Sequence, residues 1–131
     1  MKLSKNCKYA VRIIAYLAKN TNTRIVQTRE IAEKEGISKY VVDQIANRLK
    51  RKGIIKSFRG CSGGYILAKP AKTISIGDIV RAIDGQIRFV ECCKNNERCR
   101  RADFCKPHKM WIRINSDFEK FLDKVKIGAI L

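Results

Sequence analysis

Carboxylates are scarce in this chain: 12 Asp and Glu stand against 29 Lys and Arg, a formal net charge of +17 over 131 residues. A surface so short of acid cannot neutralise itself and is suited to a polyanion, either a nucleic acid or an acidic membrane face. No apolar run approaches the roughly 20 residues of a spanning helix, so membrane insertion is excluded. There is one histidine, His108. With no carboxylate pair, nucleotide-binding loop or Ser/His/Asp set beside it, nothing supports an enzyme. Internal repeats and low-complexity tracts are also missing, and 131 residues make one domain, or one domain with an attached dimerisation element. The N-terminal stretch through Ala18 has the length of an export signal, but Arg12 interrupts it and no small-residue cleavage site follows. A cytoplasmic protein is expected. In that reducing compartment the six cysteines are metal ligands, reactive thiols or core residues, not disulfides.

What the chain does have is 45% apolar residues and an uneven charge. Residues 1–70 hold 16 basic and 4 acidic side chains, whereas residues 71–131 hold 13 and 8. Ala10, Ile13, Ile14, Leu17 and Ala18 fall at helical spacing and define a first helix, with Cys7 on its core face. Thr28 is read as the cap of a short second helix, Arg29 to Glu35, that Gly36 ends. Ser38 caps a third helix whose apolar stripe is Val41, Ile45, Ala46 and Leu49 and which stops at Gly53. Two strand-like runs, 54–59 and 65–68, flank Gly60-Cys61-Ser62-Gly63-Gly64 and predict a hairpin ended by Pro70. A fourth helix is expected over 76–84, with Ile79, Val80 and Ile83 inward and Gly85 closing it. Residues 91–108 lack periodicity and read as a loop. A long final helix over about 108–126 carries Trp111, Ile114, Phe118, Phe121, Leu122 and Val125 on one side, the expected dimerisation seam.

The expected fold is thus mainly α with a small β wing. A DNA-binding unit over 1–70 leads through a connecting helix and linker, 71–90, to the loop 91–108 and then to a dimerisation helix and tail, 109–131. Helix, tight turn, helix and a basic glycine-tipped hairpin, in that order, predict a winged helix-turn-helix holding duplex DNA. The N-terminal part of the third helix would face base edges with Ser38, Lys39, Tyr40, Asp43 and Gln44. Gln44 suits an adenine edge and Asp43 a cytosine amino group. Thr28 and Arg48 would add contacts, with Arg48, Lys50, Arg51 and Lys52 nearer the backbone. Arg59 is placed to enter a minor groove. Gly60, Gly63 and Gly64 would let the wing backbone come close to the DNA.

Cys93, Cys99, Cys105 and His108 form C-x5-C-x5-C-x2-H inside the basic loop. Three thiolates and an imidazole make a metal set. Zinc takes Cys3His as a closed tetrahedron, yet its ligands normally come in close pairs, and only Cys105 and His108 satisfy that. An iron–sulfur cluster tolerates wider spacing and sometimes histidine ligation, so spacing alone leans toward it. Disulfide pairing is disfavoured by compartment.

Arg59-Gly60, Gly63-Gly64-Tyr65, Leu67-Ala68 and the cysteine–histidine set together resemble the Rrf2 family of bacterial regulators, and within it the branch that controls iron–sulfur cluster assembly. The likeness runs from Lys2-Leu3 to Ile127-Gly128. It implies a homodimer of winged helices joined by the final helix. It also implies one [2Fe–2S] cluster per subunit, held by Cys93, Cys99, Cys105 and His108, whose state tunes DNA affinity. The cluster-assembly machinery is an implied partner. A nitric-oxide-sensing branch lacks the histidine and resembles a site completed by a carboxylate near the N-terminus, where this chain has Cys7 and Lys8. A zinc- or thiol-responsive regulator using Cys61, Cys92 and Cys93 is the other alternative. Three departures stand out: Tyr40 where the resembled branch has a small residue, Asp43 where it has glutamate, and Cys61 in the wing.

Overall fold

The computed structural model describes residues 2–20, 24–90 and 103–131. Helix α1 spans Lys5–Asn20 and buries Cys7, Ala10, Ile13, Ile14 and Leu17, one side at three- and four-residue spacing. Ser4 starts it: its Oγ accepts from the Cys7 amide at 3.0 Å, while its own N–H and hydroxyl donate to Asp84. Helix α2 covers Thr28–Glu35 and α3 covers Lys39–Arg51. Gly36 joins them at φ +65°, a left-handed conformation that side chains other than glycine rarely adopt. Ser38 caps α3 as expected, its Oγ accepting from the Val41 amide at 3.3 Å. The buried stripe of α3 is Val42, Ile45, Ala46 and Leu49. Val41 lies half-buried at the margin, so the phase is one residue later than the spacing predicted. Thr28 is not the cap of α2 but its first residue. Gln27 precedes it without a side-chain cap, and the Thr28 hydroxyl bonds elsewhere.

Strands β1 (Ile55–Phe58) and β2 (Gly64–Leu67) pair antiparallel, Ile55 opposite Leu67 and Phe58 opposite Gly64. A third segment joins them. The Tyr65 amide donates to the Val26 carbonyl at 2.8 Å and the Val26 amide donates back at 3.0 Å. The wing is therefore bonded to the strand-like residue just before α2.

Helix α4, Ile76–Asp84, opens with a reciprocal Ser75/Asp78 capping box and buries Ile79, Val80 and Ile83. Helix α5, Lys106–Lys124, is 19 residues long, about 28 Å at 1.5 Å per residue. Its C-terminal end is fastened to α4. Arg81 grips Asp123 with two bonds of 2.9 and 3.0 Å, and Gly77 is buried where any side chain would meet Asp123. The chain then turns back. The Ile76 amide donates to Val125 at 2.8 Å and the Ile127 amide to Ile74 at 2.9 Å, which brings Ile127 into the core. The core is one cluster from α1, α2 (through Ile31), α3, α4 and the inner wing face, with Leu122 and Ile127 as the contribution of the C-terminal segment.

Candidate nucleic-acid interface and metal centre

With Val42, Ile45, Ala46 and Leu49 inward, the same helix must present Tyr40, Gln44 and Asn47, at i, i+4 and i+7, outward. Tyr40 is 71% exposed. The Gln44 amide nitrogen donates to its hydroxyl at 2.7 Å, so the two present one joined surface. Between this face and the wing lies a concavity of about 510 Å³. Arg29, Lys39, Lys50 and Arg59 line it, with no carboxylate among its lining residues. Arg29 is paired with Glu33 at 3.0 Å on its own helix, and the remaining three cations make the groove a local polyanion site. Gln27, Arg29 and Asn47 were not among the residues singled out from sequence. The i, i+4, i+7 polar stripe would have identified Asn47; nothing local identifies Gln27 or Arg29, which the wing's return brings to the groove.

Other expected contacts are engaged within the protein. One carboxylate oxygen of Asp43 accepts from the Thr28 hydroxyl at 3.0 Å and from the Tyr65 hydroxyl at 2.8 Å. Thr28 and Asp43 are thus bonded to each other in the free protein, with Tyr65 as the second donor to the carboxylate. Burial, and then the bond to Asp43, push the Tyr65 phenol up to about 12. Arg48 donates to the Ile83 carbonyl at 2.9 Å, holding α3 against the C-terminal end of α4, where a cation is favoured. Gly63 and Gly64 approach their own protein. A Cβ on Gly63 would overlap the Phe58 carbonyl, and one on Gly64 would overlap the Val26 carbonyl. Gly60 and Arg59 stay exposed at the tip.

Of the metal set, Cys93 and Cys99 lie outside the described residues, as does Cys92. Cys105 immediately precedes α5, half-buried with a free thiol, and His108 follows one turn later, its amide donating to the Cys105 carbonyl at 3.2 Å. The His108 Nδ1 is buried and has no hydrogen-bond partner among the described residues. A buried polar atom left unmatched costs about 1–3 kcal/mol, so a partner at this nitrogen is favoured. A thiol and an unmatched imidazole nitrogen, three residues apart on one helical turn, fit a soft metal or an iron–sulfur group. Two turns further along α5, Asn115 clamps the segment leading into the loop. It accepts from the Phe89 amide and donates to the Ile87 carbonyl, both at 2.9 Å. Phe89 also meets Phe118 edge-on, ring centroids 4.8 Å apart. α5 thus holds Ile87 and Phe89, just before residue 91, and itself begins directly after Cys105.

The expected seam divides in two. Leu122 is buried in its own chain, Val125 lies past the helix with its carbonyl bonded to Ile76, and Phe118 packs on Phe89. Ile114 and Phe121 remain 40% and 60% exposed, and Met110, which the sequence reading passed over, joins them on the same side at 49%. Trp111 is half-buried.

A recognition helix, a cationic groove and a glycine-built hairpin wing define a winged helix-turn-helix DNA-binding regulator. The family model described as Rrf2, iron-dependent transcriptional regulator, matches residues 3–131, and the chain belongs to that family. It is 30% identical over 131 residues to the HTH-type transcriptional regulator IscR of Klebsiella pneumoniae (strain 342), covering all of this chain and 80% of that protein. Among solved structures it is similar to CymR (YrzC), the global cysteine regulator of B. subtilis, with TM-score 0.78 and 30% identity over 99% of this chain and 95% of that one. T. potens IscR superposes with TM-score 0.74 and 28% identity over 99% of this chain and 85% of that one. These relatives are regulators, and this chain is a transcription regulator, not an enzyme. Among the described residues no helix is long and apolar enough to cross a membrane.

Proposed function

We propose that this regulator acts in the cytoplasm as a homodimer on palindromic duplex DNA, as a repressor whose affinity is set by a [2Fe–2S] cluster on Cys93, Cys99, Cys105 and His108. The observation that carries the reading is the buried, unmatched Nδ1 of His108 beside the free thiol of Cys105. When bound, the cluster supplies iron and sulfide whose presence depends on iron supply and redox state. The chain supplies the rest. Asn115 holds the segment entering the loop while Cys105 and His108 open α5, so any ordering of the loop acts on this helix from both sides. Met110, Ile114 and Phe121 form the stripe on which a second copy would pack. The tilt of two α5 helices then sets the separation of two recognition helices, which must match half-sites about 34 Å apart. Tyr40, Gln44 and Arg59 are the side chains proposed to read the grooves, with Ser38, Lys39, Arg29 and Lys50 on phosphates and Gly60 at the wing tip. Because binding linkage is reciprocal, cognate DNA tightens cluster binding by the factor by which the cluster tightens DNA binding.

Anaerobic purification followed by an absorption spectrum and iron, sulfide and zinc analysis tests this. Equal iron and sulfide with visible absorption bands are expected, together with unequal DNA affinity of the loaded and stripped protein. Zinc alone, or equal affinity on every duplex, sinks the reading. A second reading is favoured by the likeness to CymR and by the exposed Cys61 at the groove rim: a regulator that answers thiol chemistry without a cluster. It predicts metal-free protein whose DNA binding falls on oxidation and returns on reduction.

A further inference from the structure

One carboxylate joins three elements of the DNA-binding unit. Asp43 sits on α3, three residues after Tyr40 and one before Gln44. Its Oδ1 accepts from Thr28 at the start of α2 and from Tyr65 on β2. Two donors fill both lone pairs of that oxygen, leaving only Oδ2 for any base. Tyr65 is buried, pairs with Ser57 across the hairpin and is bonded through its backbone to Val26 in both directions. Arg59 follows Ser57 by two residues. Asp43 thereby ties α3 to the wing by a side-chain hydrogen bond, beside the chain connection through Gly53 and Ile54 and the apolar packing of Ile55 and Leu67 in the shared core.

We propose that Asp43 is a positioning residue, not a base reader: with Thr28 and Tyr65 it sets the spacing between the base-reading face of α3 and Arg59 of the wing. The inference rests on the proposed contacts Tyr40, Gln44 and Arg59. A carboxylate set among groove cations would repel phosphate if it faced the DNA, and turning its charge onto two hydroxyl donors removes that penalty. Asparagine keeps the shape but accepts more weakly, and phenylalanine at position 65 removes one donor without changing charge.

The test begins with selection of a preferred duplex from a random pool by the full-length protein. Tyr65→Phe, Asp43→Asn, Arg59→Ala and the Tyr65→Phe/Arg59→Ala double variant are then titrated on that duplex and on its single-base variants. Urea denaturation measures folding in parallel, and Thr28→Val, which removes the other donor, replaces Tyr65→Phe if the latter does not fold. Tyr65→Phe should weaken binding roughly tenfold, the size of one lost charge-assisted hydrogen bond, with base preference relaxed only at the positions that Arg59→Ala also relaxes. Arg59→Ala should lose most of its effect in the Tyr65→Phe background, a coupling that a stability defect alone does not produce. Two results overturn the proposal: wild-type affinity for Tyr65→Phe while Asp43→Asn changes preference at one base pair, or losses for Tyr65→Phe and Arg59→Ala that simply multiply. A wild-type chain that enriches no sequence overturns the groove-reading contacts themselves, and is told apart because every variant is then equally non-specific.

Discussion

Arg48 and Lys50 look alike in sequence, two cations on the basic stretch of the recognition helix, and the structure gives them different work. Arg48 donates to the last turn of α4, whereas Lys50 lines the groove. Arg48→Met should therefore lower stability by about 1 kcal/mol, the scale of one part-buried hydrogen bond. It should leave the salt dependence of DNA binding nearly intact. Lys50→Ala should do the reverse, reducing the slope of log affinity against log salt by about one phosphate's worth. Urea titrations and salt-dependent binding isotherms separate the two. His108 is a residue-scale case of another kind. Its Nδ1 is buried with no partner among the described residues, so His108→Leu should raise the stability of metal-free protein by about 1 kcal/mol while lowering bound iron. Denaturation of stripped protein and iron analysis of purified protein check the two halves.

Among the elements, α5 has two differently engaged sides. Its C-terminal turn is riveted to α4 through Asp123 and Arg81, and the following residues pair with the segment before α4. Its other side shows Met110, Ile114 and Phe121 to solvent. Phe121→Glu places a charge in the middle of the proposed seam, and sedimentation should show a dimer for the parent and a monomer for the variant if a second copy packs there. Stability of the subunit should change little, because Phe121 is 60% exposed within it. The wing is the second element with a defined failure point. Gly64→Ala forces a methyl into the Val26 carbonyl and should cost about 1–3 kcal/mol, the range for overpacked sites, with loss of DNA binding as the wing detaches.

For the whole molecule, acid is the informative variable. Glu30 accepts from Arg24 and Tyr16, and these two bonds hold its carboxyl down at about 2, against an ordinary 4.5. Asp123 is likewise held below the usual range, first by its bonds to Arg81. A carboxylate depressed in the folded state adds stability that is fully present above its unfolded value and is lost as pH falls through the folded one. Stability should thus decline progressively from about pH 4.5 toward 2, and Glu30→Gln should flatten that limb. Thermal melts across this range measure it. The group is partly exposed, so salt should shrink the effect.

The α1, α3 and α4 helices, the hairpin, the cationic half and the Rrf2 character were all readable from the chain, because they depend on local periodicity, capping chemistry, glycine placement and composition. Even there the phase of α3 slipped by one residue, since Val41 and Val42 are chemically identical and only the shape of the core chooses between them. The winged helix-turn-helix was legible for the same reason: its apolar spacing and turn residues act within a few positions. What Thr28, Asp43, Arg48, Leu122 and Val125 do was not. Their partners lie 15 and 22 residues away for Asp43 and 35 away for Arg48. A polar side chain has no preference of its own between a phosphate and a neighbouring hydroxyl; it bonds whichever donor or acceptor the folded chain brings within about 3 Å. That distance is set by the packing of one element on another, and so only the tertiary structure decided it.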